Sequence, residues 1–129
     1  MSASRKPRVN GIAPQFLVDD LQRSLSYYRD ELGFDVDFVY ESFYAAVSRD
    51  GASIHLKCAP KSVDDRVHRK SNEHLDAYID VSDAESLFRE ISSGNAVVTK
   101  TLEQRPWQCR DFYVEDLDGY ILCFSESIG

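Results

Sequence analysis

The sequence predicts an α+β fold, built as two tandem βαβββ modules within one domain. Three observations predict it: a chain of 129 residues, an internal repeat of helix signals, and an Asp-Gly pair near the end of each half. A chain of this length makes one ordinary domain and is too short for two independent ones. With 43% hydrophobic and 29% charged residues, it can bury a core and need not be disordered.

The first strand of each half runs up to a valine, Val18 or Val81. In the first half, Val18-Asp19-Asp20-Leu21 leads into Leu25, Tyr28 and Leu32, and Gly33 closes the run. In the second, Val81-Ser82-Asp83-Ala84 leads into Leu87, Phe88 and Ile91, and Gly94 closes it. This spacing predicts a helix in each half, ended by a glycine that supplies a left-handed cap. Asp19-x-x-Gln22 and Ser82-x-x-Glu85 predict a capping box at each start. Fifteen residues separate Val18 from Gly33, whereas thirteen separate Val81 from Gly94.

Three strands follow each helix. Val36, Phe38 and Tyr40 alternate with Asp35 and Asp37, and residues 43–48 form the next strand. Asp50-Gly51 then turns the chain into Ser53-Ile54-His55-Leu56. In the second half, residues 96–101 and 108–114 take the corresponding places, and Asp118-Gly119 precedes Ile121-Leu122-Cys123-Phe124. An Asp-Gly pair between apolar alternations is a strong hairpin signal. The polar run 61–73 predicts an exposed crossing loop between a module at 9–60 and another at 74–126.

Charge narrows the function. There are 15 Lys+Arg against 22 Asp+Glu, a net charge of −7. Phosphate backbones and anionic membrane surfaces repel such a chain, so neither nucleic acid nor membrane is an expected partner. A neutral or cationic small molecule is the expected one. The basic opening has no apolar run behind it, and no long uncharged stretch follows, so neither a signal peptide nor a membrane helix is expected. Cys58, Cys109 and Cys123 lack close-pair spacing and suit a reducing cytoplasm.

The segment Pro14-Gln15-Phe16-Leu17-Val18-x-Asp20-Leu21-x-x-Ser24-Leu25-x-x-Tyr28-x-x-x-Leu32-Gly33-Phe34 resembles the opening signature of the glyoxalase/bleomycin-resistance/dioxygenase (vicinal oxygen chelate) superfamily. The closing segment Pro106-Trp107-x-x-Arg110-x-Phe112-x-Val114-x-Asp116-x-Asp118-Gly119 is similar to the end of its bleomycin-resistance-like members. The resemblance covers residues 9–126 and implies mixed sheets that curl round a cleft. It also implies a homodimer whose modules complete each other's cavities.

Metalloenzymes of the superfamily take two ligands from the first strands and two from the last strands. By the repeat, these places fall on Ala13, His55, Asp76 and Cys123. Ala13 has no donor atom, and Cys123 puts a soft thiol where the family has a carboxylate. Two ordinary donors rarely hold a catalytic divalent ion. No metal cofactor is therefore expected. If one binds, alternation along the first strands makes Gln15 and His74 the further candidates beside His55 and Asp76. His68, in the crossing loop, reads as a solvated residue. Cys123 reads as a small buried filler.

Aromatic residues point instead to binding. Phe38, Tyr40, Phe43, Tyr44, Tyr78, Trp107 and Phe112 fall on or near strands that would line the cleft, while Tyr28, Phe34 and Phe88 belong to helix packing. Trp107 follows Pro106 in a polar stretch, where a large ring needs something to stack on. The leading expectation is a metal-independent binder of a small aromatic or amphipathic, possibly cationic, molecule. Trp107, Phe38, Tyr40, Phe43 and Tyr78 would supply rings, and His55, Asp76 and Arg110 would orient the ligand. The alternative is a divalent-metal lyase, isomerase or dioxygenase of the same superfamily. The ligand count leans away from an enzyme, and no catalytic residue is assigned.

Overall fold

The computed structural model describes residues 6–7, 10–59 and 75–128. The crossing loop 61–73, with His68, and the candidate ligand His74 lie outside the described residues. The element order is β1 (Gln15–Val18), α1 (Leu21–Ser26), β2 (Asp35–Tyr40), β3 (Tyr44–Arg49), β4 (Ala52–Cys58), β5 (Ala77–Asp80), α2 (Ala84–Ser92), β6 (Val97–Arg105), β7 (Cys109–Glu115) and β8 (Ile121–Ser127). Two four-stranded mixed sheets result, ordered β1-β4-β3-β2 and β5-β8-β7-β6. In each, the first strand runs parallel to the last and the remaining pairs are antiparallel. The two βαβββ modules expected from the repeat are present.

The helix ends differ in detail from the sequence reading. Each N-cap falls one residue later than expected, on Asp20 and Asp83, whose carboxylates accept from Arg23 N–H and Ser86 N–H. The first helix continues as a π turn over Tyr27–Glu31, closed by Leu32 N–H on the Tyr27 carbonyl. The wider turn takes up the longer helical stretch of the first half and buries the adjacent Tyr27 and Tyr28 together.

Gly33 ends that helix at φ 75°, and Phe34 N–H returns to the Tyr28 carbonyl at 2.8 Å. Gly94 is different: it takes no positive φ, and Ser93 ends α2 in right-handed geometry. A Cβ on Gly33 would lie 2.5 Å from Arg49 Nη1. We expect Gly33→Ala to cost about 1–2 kcal/mol from backbone strain, read as a lower urea midpoint. Gly94→Ala carries no backbone strain, though its Cβ would lie 2.5 Å from Glu31 Oε1 and move that side chain off Asn95 N–H.

One core serves both modules, with Phe16, Leu32, Phe34 and Ile54 of the first meeting Ile91, Phe112, Val114 and Phe124 of the second. Phe112, expected in the cleft, is instead wholly buried, stacked on Phe124 at 5.3 Å and met edge-on by Phe88. Strand alternation decides this, because the neighbours Asp111 and Tyr113 take the other face. Polar contacts fasten the modules. Tyr28 OH donates to Asp116 Oδ2 at 2.6 Å, and Tyr27 OH to the Glu115 carbonyl at 2.7 Å. Leu17 N–H donates to Tyr120 OH at 2.8 Å, and Asp19 N–H to Asp118 Oδ1 at 2.9 Å. Across the two helices, Arg49 pairs with Glu90 and also donates to the Leu32 carbonyl. The helix-covered faces of the two sheets thus share the interior, and the opposite faces are left for function.

Candidate functional site

Register builds the site on the outer face of the first sheet. Phe38, Ala46, His55 and Gln15 stand in one row across β2, β3, β4 and β1. Tyr40, Tyr44, Lys57 and Leu17 form the row beside it. Ala46 is small, so the rings on either side of it close over the gap. Phe38 stacks on Tyr44 at 6.2 Å and 7° and meets His55 edge-on at 6.1 Å. Tyr40 and Phe43 meet edge-on at 5.6 Å at the lip.

A hydrogen-bond relay fixes the imidazole. Gln15 Nε2 donates to Tyr44 OH at 3.0 Å, and Tyr44 OH lies 2.8 Å from His55 Nδ1. The Tyr44 hydroxyl can donate to Nδ1 or accept from it, according to which ring nitrogen carries the proton. The face therefore sets an imidazole, held through Nδ1, among aromatic rings. Phe38, Tyr40 and Phe43 are each 41–57% exposed, a concentration of ring surface that asks for an occupant.

The other expected residues are placed elsewhere. Tyr78 stands on β5, 61% exposed, and donates to Ser125 Oγ at 2.8 Å. Asp76 accepts the Ile121 N–H at 2.9 Å, just ahead of that strand. Trp107, 66% exposed, occupies the turn between β6 and β7 and does not join the rings of the first sheet. Arg110 pairs across β7 with Gln104 and Glu126, and Glu126 accepts the Ala84 N–H. It thus shares the helix-covered face with the start of α2. Its neighbours on the outer face are Cys109, Asp111 and Tyr113.

That cluster is one the sequence reading missed. Arg105 donates to Asp111 at 2.7 Å and to Glu103 at 2.9 Å, and its guanidinium lies over the Tyr113 ring. Arg105 Nη2 is buried and has no hydrogen-bond partner among the described residues.

The four family metal positions do not suit a divalent ion. Ala13 offers no donor, and Asp76 is engaged by a main-chain N–H. Burial, with Asp111 beside it, pushes the Cys123 thiol up to about 12. Among the described residues, no three His, Cys, Asp or Glu side chains gather to hold a metal ion.

Two four-stranded mixed sheets in βαβββ order define the class, and comparison supplies the family. The family model of the Glyoxalase/Bleomycin resistance protein/Dioxygenase superfamily matches residues 9–124. The chain belongs to this superfamily. Among curated proteins, none matches the sequence significantly. Solved structures share the fold. A glyoxalase-related enzyme from Clostridium phytofermentans is 18% identical, with a TM-score of 0.75 over 97% of this chain and 100% of that one. TioX from Micromonospora sp. ML1 is 16% identical, with a TM-score of 0.73 over 93% and 100%. The bleomycin-binding protein from Streptomyces verticillus, solved with copper(II)-bleomycin, is 22% identical, with a TM-score of 0.69 over 96% and 99%.

Proposed function

We propose that the protein binds and sequesters a small aromatic or amphipathic molecule, neutral or cationic, without a metal ion and without chemical change. The observation that carries this is the outer face of the first sheet, where half-exposed rings surround the His55 relay. The rings supply stacking, each contact being worth about 1 kcal/mol, and His55 Nε2 forms a hydrogen bond with the ligand. The net charge of −7 draws a cation from a distance. The kinship with a bleomycin-binding protein supports a binding use of the fold and, by resemblance, a drug-resistance role.

The same reading makes the protein a cytoplasmic homodimer. Among the described residues, no helix is long and apolar enough to cross a membrane. A second copy would lay its second module over the exposed rings and bring Trp107 and Tyr78 to the ligand.

Proflavine, a planar heteroaromatic cation, is a suitable probe. Calorimetry should show Phe38→Ala binding it at least tenfold more weakly, a loss of about 1.4 kcal/mol. Tyr44→Phe, which releases His55 Nδ1, should weaken binding about threefold. Unchanged affinity in Phe38→Ala would remove this face from the site.

A further inference from the structure

The two modules meet twice, and the two meetings are not alike. At the first, the turn after β7 closes on the free edge of β1. The Tyr120 ring stacks on Phe16 at 4.1 Å and 6°, its hydroxyl accepts Leu17 N–H, and Asp118 accepts Asp19 N–H. At the second, the turn between β3 and β4 faces the free edge of β5. Ala52 follows Gly51 there as Tyr120 follows Gly119, so a methyl group stands where a ring closes the first meeting.

A cleft of about 830 Å³ remains at the second meeting, with Ile54, Ile79 and Leu87 in its wall. Val81 N–H bonds to the Ser125 carbonyl, and successive peptide groups of a strand point to opposite sides. The N–H groups of Asp80 and Ser82 therefore point away from β8 toward the cleft. Neither meets an acceptor among the described residues. They are the counterparts of Leu17 and Asp19, whose N–H groups Tyr120 and Asp118 satisfy.

We propose that this cleft is a second ligand site, which takes a flat aromatic ring bearing a phenol or carbonyl oxygen and carrying no negative charge. The oxygen accepts from Asp80 N–H as Tyr120 does from Leu17. The ring lies on Ile79, which precedes Val81 by two residues as Phe16 precedes Val18. The volume falls within the range of small-molecule sites, so the ligand is larger than one ring. Asp50, Asp80 and Asp83 are also in the lining and disfavour a carboxylate, while Arg49 is already held by Glu90 and the Leu32 carbonyl. The site opens between the modules and is separate from the ring-lined outer face.

The test is a nitrogen-15 NMR titration with tyramine, and with 4-hydroxyphenylacetate as its acidic counterpart. Tyramine should shift the Asp80 and Ser82 amides and slow their hydrogen exchange, and the acid should bind at least tenfold more weakly. Ala52→Tyr should abolish these shifts by closing the cleft as Tyr120 closes its mate. Absent shifts at Asp80 and Ser82, or shifts unchanged in Ala52→Tyr, would overturn the proposal. So would shifts confined to Tyr44 and His55, which would assign the ligand to the outer face alone. Should Ala52→Tyr not fold, exchange in the wild-type protein decides. Protection of both amides before any ligand is added means that protein already covers the edge, and the proposal fails.

Discussion

Tyr120→Ala is expected to lower the unfolding free energy by about 4 kcal/mol, among the largest effects of any single truncation here. The ring is 5% exposed and lies flat on Phe16, so removal forfeits a stacked pair and opens a cavity at the module junction. The hydroxyl is also the acceptor for Leu17 N–H, and losing it leaves a part-buried donor unpaired. Tyr120→Phe separates these contributions. It keeps the ring and loses only the acceptor, for about 1–2 kcal/mol. Urea denaturation of the three proteins checks both values, and equal midpoints for wild type and Tyr120→Ala would show that the junction does not hold the modules together.

Asp116 produces the second large effect, and it depends on pH. The carboxyl is buried between the modules, where it accepts from Tyr28 OH and from the N–H groups of Asp118 and Tyr120. Burial outweighs these bonds and raises its pKa from 3.8 to about 6. The folded state therefore holds the proton more tightly than the unfolded chain. This contribution to stability is fully present below about pH 4 and is lost as pH rises through about 6. A rise from 3.8 to about 6 corresponds to roughly 3 kcal/mol. Asp116→Asn keeps the acceptor oxygen for both main-chain donors and never ionises. Its stability relative to wild type should rise by roughly 3 kcal/mol between pH 4 and 7.5, measured by chemical denaturation at each pH. A difference that stays flat with pH would mean that the carboxyl does not titrate as its burial implies.

The repeat is legible in the sequence because its markers act locally. A valine before each cap, a glycine after each helix and an Asp-Gly turn near each end need no tertiary knowledge to interpret. The missed details depend on packing. The longer run from Val18 to Gly33 signals extra helix, but only the shared core explains why it becomes a π turn that buries Tyr27 and Tyr28 together. Gly94 looks like Gly33 in sequence, yet the backbone after α2 has no left-handed turn to make.

The candidate site divides along the same line. Alternation along β4 sets His55 opposite the core residues Ile54 and Leu56. Alternation along β2 groups Phe38 and Tyr40 with Val36, and only the bulge after Val36 turns the two rings away from it to the outer face. In β7 both faces are buried, so Cys109 to Val114 carry no contrast from which to read the phase. The sequence therefore reads Phe112 and Arg110 as cleft residues and gives no signal for Asp111, which is 2% exposed. The relay from Gln15 through Tyr44 to His55 joins three strands, and its members become neighbours only through register.

The central claim, ligand binding on the rings of the first sheet without a metal, is tested most directly by one calorimetric experiment. Proflavine is titrated into the untagged protein before and after exhaustive treatment with EDTA, and again after adding back Fe, Mn, Ni or Zn. Binding of the same affinity in all three states is the predicted result. Binding that disappears with the chelator and returns with one of the ions would contradict the account and restore a metal centre to this fold.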